Sequence, residues 1–424
     1  MISEILELRR LLKNQRLSSD ALTELQNRKL RAVIRLAYGS VPYYRSLFSS
    51  LGLTPDDIRT VEDLEHIPIT TKDDLRAAGV ERIVAEGIEL SSCTLVRTSG
   101  STGKPFATYF TRVEGRTRQL LQFRALLSVG FHPWDRLAVL GPEQPHQTRL
   151  HQRLGFYQSG NISPFHSIEN QIQRLQVLRP TIFWAYPTML RALLHRVDYS
   201  LSKFIRPRIL ITSSEIFDDE IRRRILADLD IDMFNFYGAN EVGRIASECA
   251  AHEGLHVNAD HVILECVENE WTVEMGKAGV TVITSLNAFT MPLIRYNLGD
   301  ICKFVEKTCS CGSSFPLIEP PLGRSDDLIR LPNGMVLAPN GLFFILRSFN
   351  GIDQFRIIQE SLDRFVLQIV FRENPQNETL SKIRSRIIEF LDEPVRLDIQ
   401  VVDFIQDEKL KFRAFISNLP KSDF

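Results

Sequence analysis

The sequence predicts an α/β fold with a large N-terminal α/β domain, containing parallel strands and a later β section, and a small C-terminal α+β domain. Three observations carry this. At 424 residues the chain is too long for one ordinary core. From about residue 94 compact apolar runs alternate with helical segments, which is the pattern of buried parallel strands. Finally, the polar stretch "LGRSDDLIRLPNG" opens a tail of about 100 residues, a fitting size for a small domain.

The elements follow in order. The first part of the chain reads mostly helical, because "ALTELQNRKLRAVIRLAYGS" repeats apolar residues at helical spacing. "YGSVPYYRSLF" breaks the helix and restarts it at Pro42. In "IPITTKDDLRAAG", Thr71 is the cap of a further helix. "RLAVLGP", "TIFWAYP", "RILITSSE" and "DMFNFYG" are short apolar runs that end in turn residues, so each is a strand. "IENQIQRLQVL" and "DDEIRRRILADL" are helices between them, and "HVILECVE", "WTVEM" and "GVTVITSL" form a later antiparallel section. There is no internal repeat and no low-complexity tract.

Composition excludes several classes. Hydrophobic residues at 44% and charged residues at 24% are the balance of a soluble globular protein. A net charge of −1 gives no basic field for nucleic acid. The start "MISEILELRRLLKNQRL" is charged and amphipathic, unlike a signal peptide, and no apolar run is long enough to cross a bilayer. Six cysteines in so long a chain do not make a disulfide framework, so the expected compartment is the cytoplasm. Cys93, Cys266 and Cys302 read as buried thiols in strand-like runs.

"RTSGSTGKP" packs glycines, hydroxyls and a lysine into residues 97–105. It is not a Walker A loop: Gly100 and Gly103 enclose only two residues, Pro105 follows Lys104, and "FATYFT" continues as a strand. Backbone N–H donors, hydroxyls and one cation still suit a polyphosphate. A flexible Ser/Gly hairpin turn is the plainer alternative.

"CSCG" puts Cys309 and Cys311 on a tight turn, and "SECAAHEGLH" puts Cys249 ahead of His252 and His256. Three cysteines and one histidine make a tetrahedral zinc set. Two unrelated groups of reduced thiols are the alternative.

With these motifs in order, the chain resembles the phenylacetate–CoA ligase branch of adenylate-forming enzymes, including its CapK-like members from capsule loci. "TSGSTGKP" is similar to the phosphate loop of that superfamily. "KLRAVIRLAYGSVPYYRSLF", "PITTKDDLR", "YGANEVG", "MPLIRYNLGD", "LGRSDDLI" and the late "KFRAFIS" follow in the family order. The resemblance covers nearly the whole chain. It implies an adenylate-forming domain at 1–323, a mobile C-terminal domain at 324–424 and a hinge at 324–327.

It also implies a reaction. A carboxylate attacks the α-phosphate of ATP, and a thiol, best coenzyme A, then displaces AMP from the acyl-adenylate; an aromatic acid is the implied donor. Thr98, Ser99, Gly100, Ser101, Thr102, Gly103 and Lys104 would hold the phosphates. Glu241 would be the Mg2+ carboxylate, and a hard cation prefers such an oxygen ligand; an exposed acid at a helix start is its plainer reading. Tyr237 and Gly238 would lie near adenine or the acyl carboxylate. Ser214 and Glu215 of "SSEIF" stand where the family has its adenine loop, although Ser213 and Ser214 replace the usual small pair. Asp300 would accept from the ribose hydroxyls, with Arg324 near ribose and phosphate. Lys411 would stabilise charge on the α-phosphate, but Leu410 replaces the family's glycine and Lys409 is a rival. Asp326 would be the pivot of the hinge. For zinc, the pattern of some relatives selects His256 with Cys249, Cys309 and Cys311, as a structural site. "FWAYPTML" and "GFYQSGNISP" could line an acid pocket. A carrier protein or another acceptor in capsule or natural-product synthesis, and a non-catalytic nucleotide-binding member, remain as alternatives. Neither nucleic acid nor membrane is an expected partner, and a homodimer is left open.

Overall fold

The computed structural model describes residues 2–97, 106–141, 152, 155–163, 166–213, 219–324, 328–337, 339–349, 351–372, 375–405 and 413–419. Residues 98–105, Ser214, Glu215, Asp326, Lys409, Leu410 and Lys411 therefore lie outside the described residues. The chain divides into two compact units, Met1–Leu298 with Cys302–Pro321, and Gly299–Ile301 with Leu322–Phe424.

The first unit begins with helices α1 (Ile2–Asn14), α2 (Ser19–Ser40) and α3 (Pro42–Ser50). The Ser18 hydroxyl accepts from the Ala21 N–H and caps α2. Pro42 lacks an N–H, which the first position of a helix does not need, so the chain restarts there as α3. Helix α4 (Lys72–Ala78) opens with a reciprocal capping box between Thr71 and Asp74, and α5 (Val80–Ile83) follows.

Strands β1 (Thr94–Arg97) and β2 (Ala107–Phe110) pair antiparallel on either side of residues 98–105. Cys93 stands just before β1, partly exposed, after the 3-10 turn Leu90–Ser92. This corrects the expectation of a buried strand thiol: the turn residues before it leave it outside the sheet. Cys266 and Cys302 are buried as expected.

Helix α6 (Arg112–Ser128) starts with a second capping box, Thr111 with Glu114. The Glu114 carboxylate also accepts from the N–H groups of Phe289, at 2.6 Å, and Thr290, at 2.8 Å. Further along α6, the buried Arg124 and Asp260 pair at 2.8 Å, and Asn14 donates to the same carboxylate at 2.8 Å. Removing either charge would leave the other buried and uncompensated.

The parallel sheet consists of β3 (Arg136–Leu140), β4 (Gln158–Ile162), β5 (Ile182–Ala185), β6 (Ile209–Ser213) and β7 (Asp232–Ala239), in the order β4-β3-β5-β6-β7. Helices α7 (Ile168–Leu178), α8 (Pro187–Arg196) and α9 (Asp219–Asp228) are its crossovers. Every residue of β6 is buried, which explains its uninterrupted apolar reading. Beyond β7 the sheet turns antiparallel, through β8 (Gly243–Glu248) and β9 (Leu255–Val257). It continues with β10 (Val262–Glu268), β11 (Trp271–Thr272), β12 (Ala278–Ser285), β13 (Tyr296–Val305) and β14 (Leu317–Ile318).

The second unit holds β15 (Gly323–Arg324), which pairs with β13, and the hairpin of β16 (Ile329–Arg330) and β17 (Val336–Leu337). Its four-stranded sheet runs β20-β19-β18-β21, from β18 (Ile352–Ser361), β19 (Arg364–Phe371), β20 (Arg396–Val401) and β21 (Phe415–Ser417). Helices α10 (Asn340–Arg347) and α11 (Asn377–Leu391) accompany it. Ile383, Ile387 and Leu391, four apart on one helical face, share a buried core with Phe365, Leu367 and Ile369. Among the described residues no helix is long and apolar enough to cross a membrane.

Candidate active site

β7 is the strand at which the sheet changes from parallel to antiparallel pairing. It ends in Tyr237, Gly238 and Ala239, and the chain turns through Asn240, Glu241 and Val242 into β8. A Cβ on Gly238 would fall 2.6 Å from the Gly243 carbonyl oxygen, and Gly243 has φ +86°. Both glycines are therefore required by the tightness of the hairpin.

Glu241 is buried in this turn, not exposed at a helix start. Its Oε1 is 3.0 Å from Lys72 Nζ and accepts from the Tyr296 hydroxyl at 3.4 Å. Arg118 of α6 donates to the carbonyl oxygens of Asn240, at 3.1 Å, and Glu241. The same guanidinium lies 4.3 Å from the Phe110 ring centroid, and burial pulls it down to about 10. The turn is thus held by its backbone from one side and by its carboxylate from the other.

The two groups that meet Glu241 are themselves fastened together. Thr70 donates its N–H to Arg295 O at 2.8 Å, and Asn297 donates to Thr70 O at 2.9 Å. Arg295, buried with φ +42°, donates to Ile67 O at 2.8 Å and to Glu265 at 3.1 Å. This sets Lys72 and Tyr296 at fixed places around one carboxylate.

Sequence reasoning missed Lys72, Tyr296 and Arg118. A signal existed for Lys72. It occupies the first turn of a helix, where the macrodipole disfavours a cation, so a nearby anion was to be expected. Arg118 carries no such mark, because a helix arginine is ordinarily solvated.

Tyr237 is buried. In the second unit, Asp300 of β13 faces Arg324 of β15 in register, and their side chains pair at 3.1 Å. Two residues read separately from sequence thus form one ion pair.

The sulfur and nitrogen donors of Cys249, His256, Cys309 and Cys311 all lie within 4.8 Å of one another. Cys249 and Cys309 sulfurs are 3.7 Å apart, and Cys311 Sγ is 3.3 Å from His256 Nε2. His256 Nδ1 is 3.2 Å from the Phe315 carbonyl oxygen, which fixes the proton on Nδ1 and leaves the Nε2 lone pair facing the sulfurs. Burial lowers the His256 pKa and raises Cys309 to about 12. His252 is directed elsewhere: its Nδ1 is 3.0 Å from Glu248, and its ring stacks on Phe234. The cysteine turn also touches the N-terminus, since Arg16 donates to Cys311 O at 2.8 Å.

The chain is similar to proteins of known activity. Residues 331–418 match the CapK C-terminal domain family. The chain is 27% identical over 329 residues to the phenylacetate-coenzyme A ligase of Thermus thermophilus, covering 74% of this chain and 72% of that protein. It is 27% identical over 344 residues to the Escherichia coli phenylacetate-coenzyme A ligase, covering 77% and 76%. Among solved structures, 2-hydroxyisobutyryl-CoA ligase with 2-HIB-AMP superposes with a TM-score of 0.80 at 20% identity, over 96% of this chain and 91% of that one. The anthranilate CoA ligase AuaEII with anthranoyl-AMP gives a TM-score of 0.57 at 16% identity, over 90% and 78%. The chain is thus a relative of the phenylacetate–coenzyme A ligases that carries a CapK C-terminal domain and has the fold of adenylate-forming coenzyme A ligases.

Proposed function

We propose that this chain is an ATP-dependent carboxylic acid ligase, forming an acyl-adenylate and passing the acyl group to the thiol of coenzyme A. The observation that carries the reading is the buried Glu241 carboxylate, fixed between Lys72 and Tyr296 on a glycine-tight hairpin. A rigid carboxylate is what a metal-assisted attack on a phosphate requires, because catalysis of that step is mostly positioning and charge stabilisation. Glu241 would hold Mg2+, which usually takes one or two carboxylates together with substrate phosphates. Bound Mg2+ would neutralise charge on the departing pyrophosphate.

In this reading Thr98 to Lys104 grip the phosphates, and Tyr237 and Gly238 flank the nucleotide. Ser214 and Glu215 belong to the adenine loop, Asp300 with Arg324 serves the ribose, Lys411 serves the α-phosphate, and Asp326 is the hinge. These roles come from motif position. The donor set of Cys249, His256, Cys309 and Cys311 fits a structural Zn2+. Four protein ligands leave no open position, and His256 has the carbonyl partner that zinc-bound imidazoles favour.

The test is release of pyrophosphate and AMP from ATP over a panel of carboxylic acids, with and without coenzyme A. Acid-dependent AMP formation with thioester product supports the reading; no turnover with any acid favours a non-catalytic nucleotide binder. A second reading, an acceptor other than coenzyme A such as a carrier protein, is favoured by the CapK C-terminal domain at 331–418. Acid-dependent pyrophosphate release without thioester product would favour it.

A further inference from the structure

Among the described residues of the first unit three arginines are buried: Arg124, Arg295 and Arg244. Arg124 meets Asp260 at 2.8 Å, and Arg295 meets Glu265 at 3.1 Å. Arg244 meets no carboxylate among the described residues. Its Nε and Nη2 both donate to one neutral oxygen, Gln122 Oε1, at 3.1 and 2.7 Å. Its Nη1 makes no hydrogen bond to a described residue. A buried guanidinium without a counter-charge is costly, and burial pulls Arg244 down to about 9.

Gln122 repeats the pattern. A guanidinium has only donors, so the amide oxygen must face it. The amide Nε2 is consequently turned away, buried, and without an acceptor. Two adjacent side chains thus present N–H groups that no described residue accepts from, and that of Gln122 is buried and needs an acceptor.

The surroundings are aromatic. The Arg244 guanidinium lies 4.7 Å from the Phe236 ring centroid and 5.3 Å from that of Trp184. Trp184 Nε1 donates to Ser213 Oγ at 2.8 Å. Trp184 and Ser213 stand at the carboxyl ends of the parallel strands β5 and β6, which is where open α/β sheets bind ligands. Arg244 is also the register partner of Gly238, so it flanks the same hairpin that presents Glu241.

We propose that Arg244 and Gln122 form the distal end of the acid pocket and select a carboxylic acid that carries a second anionic oxygen group, with the acid's body beside Trp184. The proposal rests on the acid-ligase reading. The reacting carboxylate goes to ATP, and the second anion accepts from Arg244 Nη1 and Gln122 Nε2. An acid without that group would strip water from the guanidinium and return nothing. Sites that hydrogen-bond a substrate group discriminate strongly against analogues lacking it.

The experiment uses pairs of acids that differ by one carboxylate: isophthalate and benzoate, homophthalate and phenylacetate, glutarate and butyrate. The full chain is assayed for AMP release with ATP and Mg2+. At least one pair should show a preference for the diacid of about 100-fold in kcat/KM. Arg244→Met and Gln122→Leu should each move that ratio toward one, and Arg244→Lys should keep part of it. Should Arg244→Met not fold, calorimetry on the wild-type chain should still show the preferred diacid binding at least tenfold more tightly than its monoacid. Equal or better turnover of the monoacid in every pair overturns the subsite and leaves the ligase reading standing. AMP release from no acid of either kind overturns the ligase reading and the subsite with it.

Discussion

Lys72 Nζ lies 3.0 Å from the Glu241 carboxylate, although 169 positions separate the two residues (241 − 72). The pair joins the first turn of α4 to the hairpin after β7, and Glu241 is the more deeply buried partner. Glu241→Ala should slow pyrophosphate release by roughly 100-fold, about 3 kcal/mol in the barrier, if the carboxylate serves the metal. Lys72→Met should lower the unfolding free energy by roughly 1–3 kcal/mol, because it strands a buried carboxylate. Lys72→Met with Glu241→Gln together should recover part of that loss in a double-mutant cycle. Wild-type pyrophosphate release from Glu241→Ala would end the metal assignment.

The strands were legible because burial on both faces writes itself as continuous apolar runs, as in Ile209–Ser213. Helix starts were legible where a cap is local, as at Thr71 with Asp74. The turn of "YGANE" was legible as a motif, but its partners were not. Lys72, Arg118 and Tyr296 reach Glu241 through tertiary packing, and no local spacing encodes that. Arg244 was hidden for the opposite reason. What marks it is a missing carboxylate, which becomes visible only once its neighbours are in place.

The thiol–imidazole cluster predicts about one zinc per chain. Cys309→Ser with Cys311→Ser should lose the metal and lower the melting temperature, because the binding free energy of a structural site is folding free energy. His256→Ala should lose the metal, whereas His252→Ala should keep it, since His252 Nδ1 lies against Glu248. Elemental analysis of the purified chain and its variants decides this, and an absence of zinc in the wild type removes the assignment.

Gly238→Ala should damage the hairpin. Its new methyl would sit 2.6 Å from a backbone oxygen, which cannot swing aside as a side chain can. Overpacking of this kind costs about 1–3 kcal/mol. Adenylation should suffer further, because the strain falls next to Glu241. Gly39→Ala is the control: Gly39 lies within α2 with nothing within 4 Å of the added carbon. It should be neutral or stabilising by up to about 1 kcal/mol. Equal urea midpoints for the two variants would show that the close approach is not as drawn.

His261 predicts a pH dependence of stability. Its Nε2–H donates to Val242 O at 2.9 Å, and Nδ1 accepts from Asn287 Nδ2 at 2.9 Å, so the neutral ring has both nitrogens satisfied. Burial lowers its pKa to about 4; Arg118 and Lys29 push the same way, against the Val242 carbonyl and Asp260. In the unfolded chain the ring would titrate near the ordinary histidine value of about 6.5. Between these two values the unfolded state binds more protons than the native state, so stability rises with pH across that window. The contribution is fully present above about pH 6.5 and is lost as pH falls toward the folded pKa. By pH 5 the loss should be roughly 2 kcal/mol. His261→Gln can keep neutral hydrogen-bonding groups but cannot titrate, so its urea midpoint should fall less than wild type between pH 7 and pH 5. The two proteins share every other titrating group, so the difference between their slopes isolates the ring. Identical slopes would mean that His261 is protonated in the native state, with the Asn287 amide turned to accept from it.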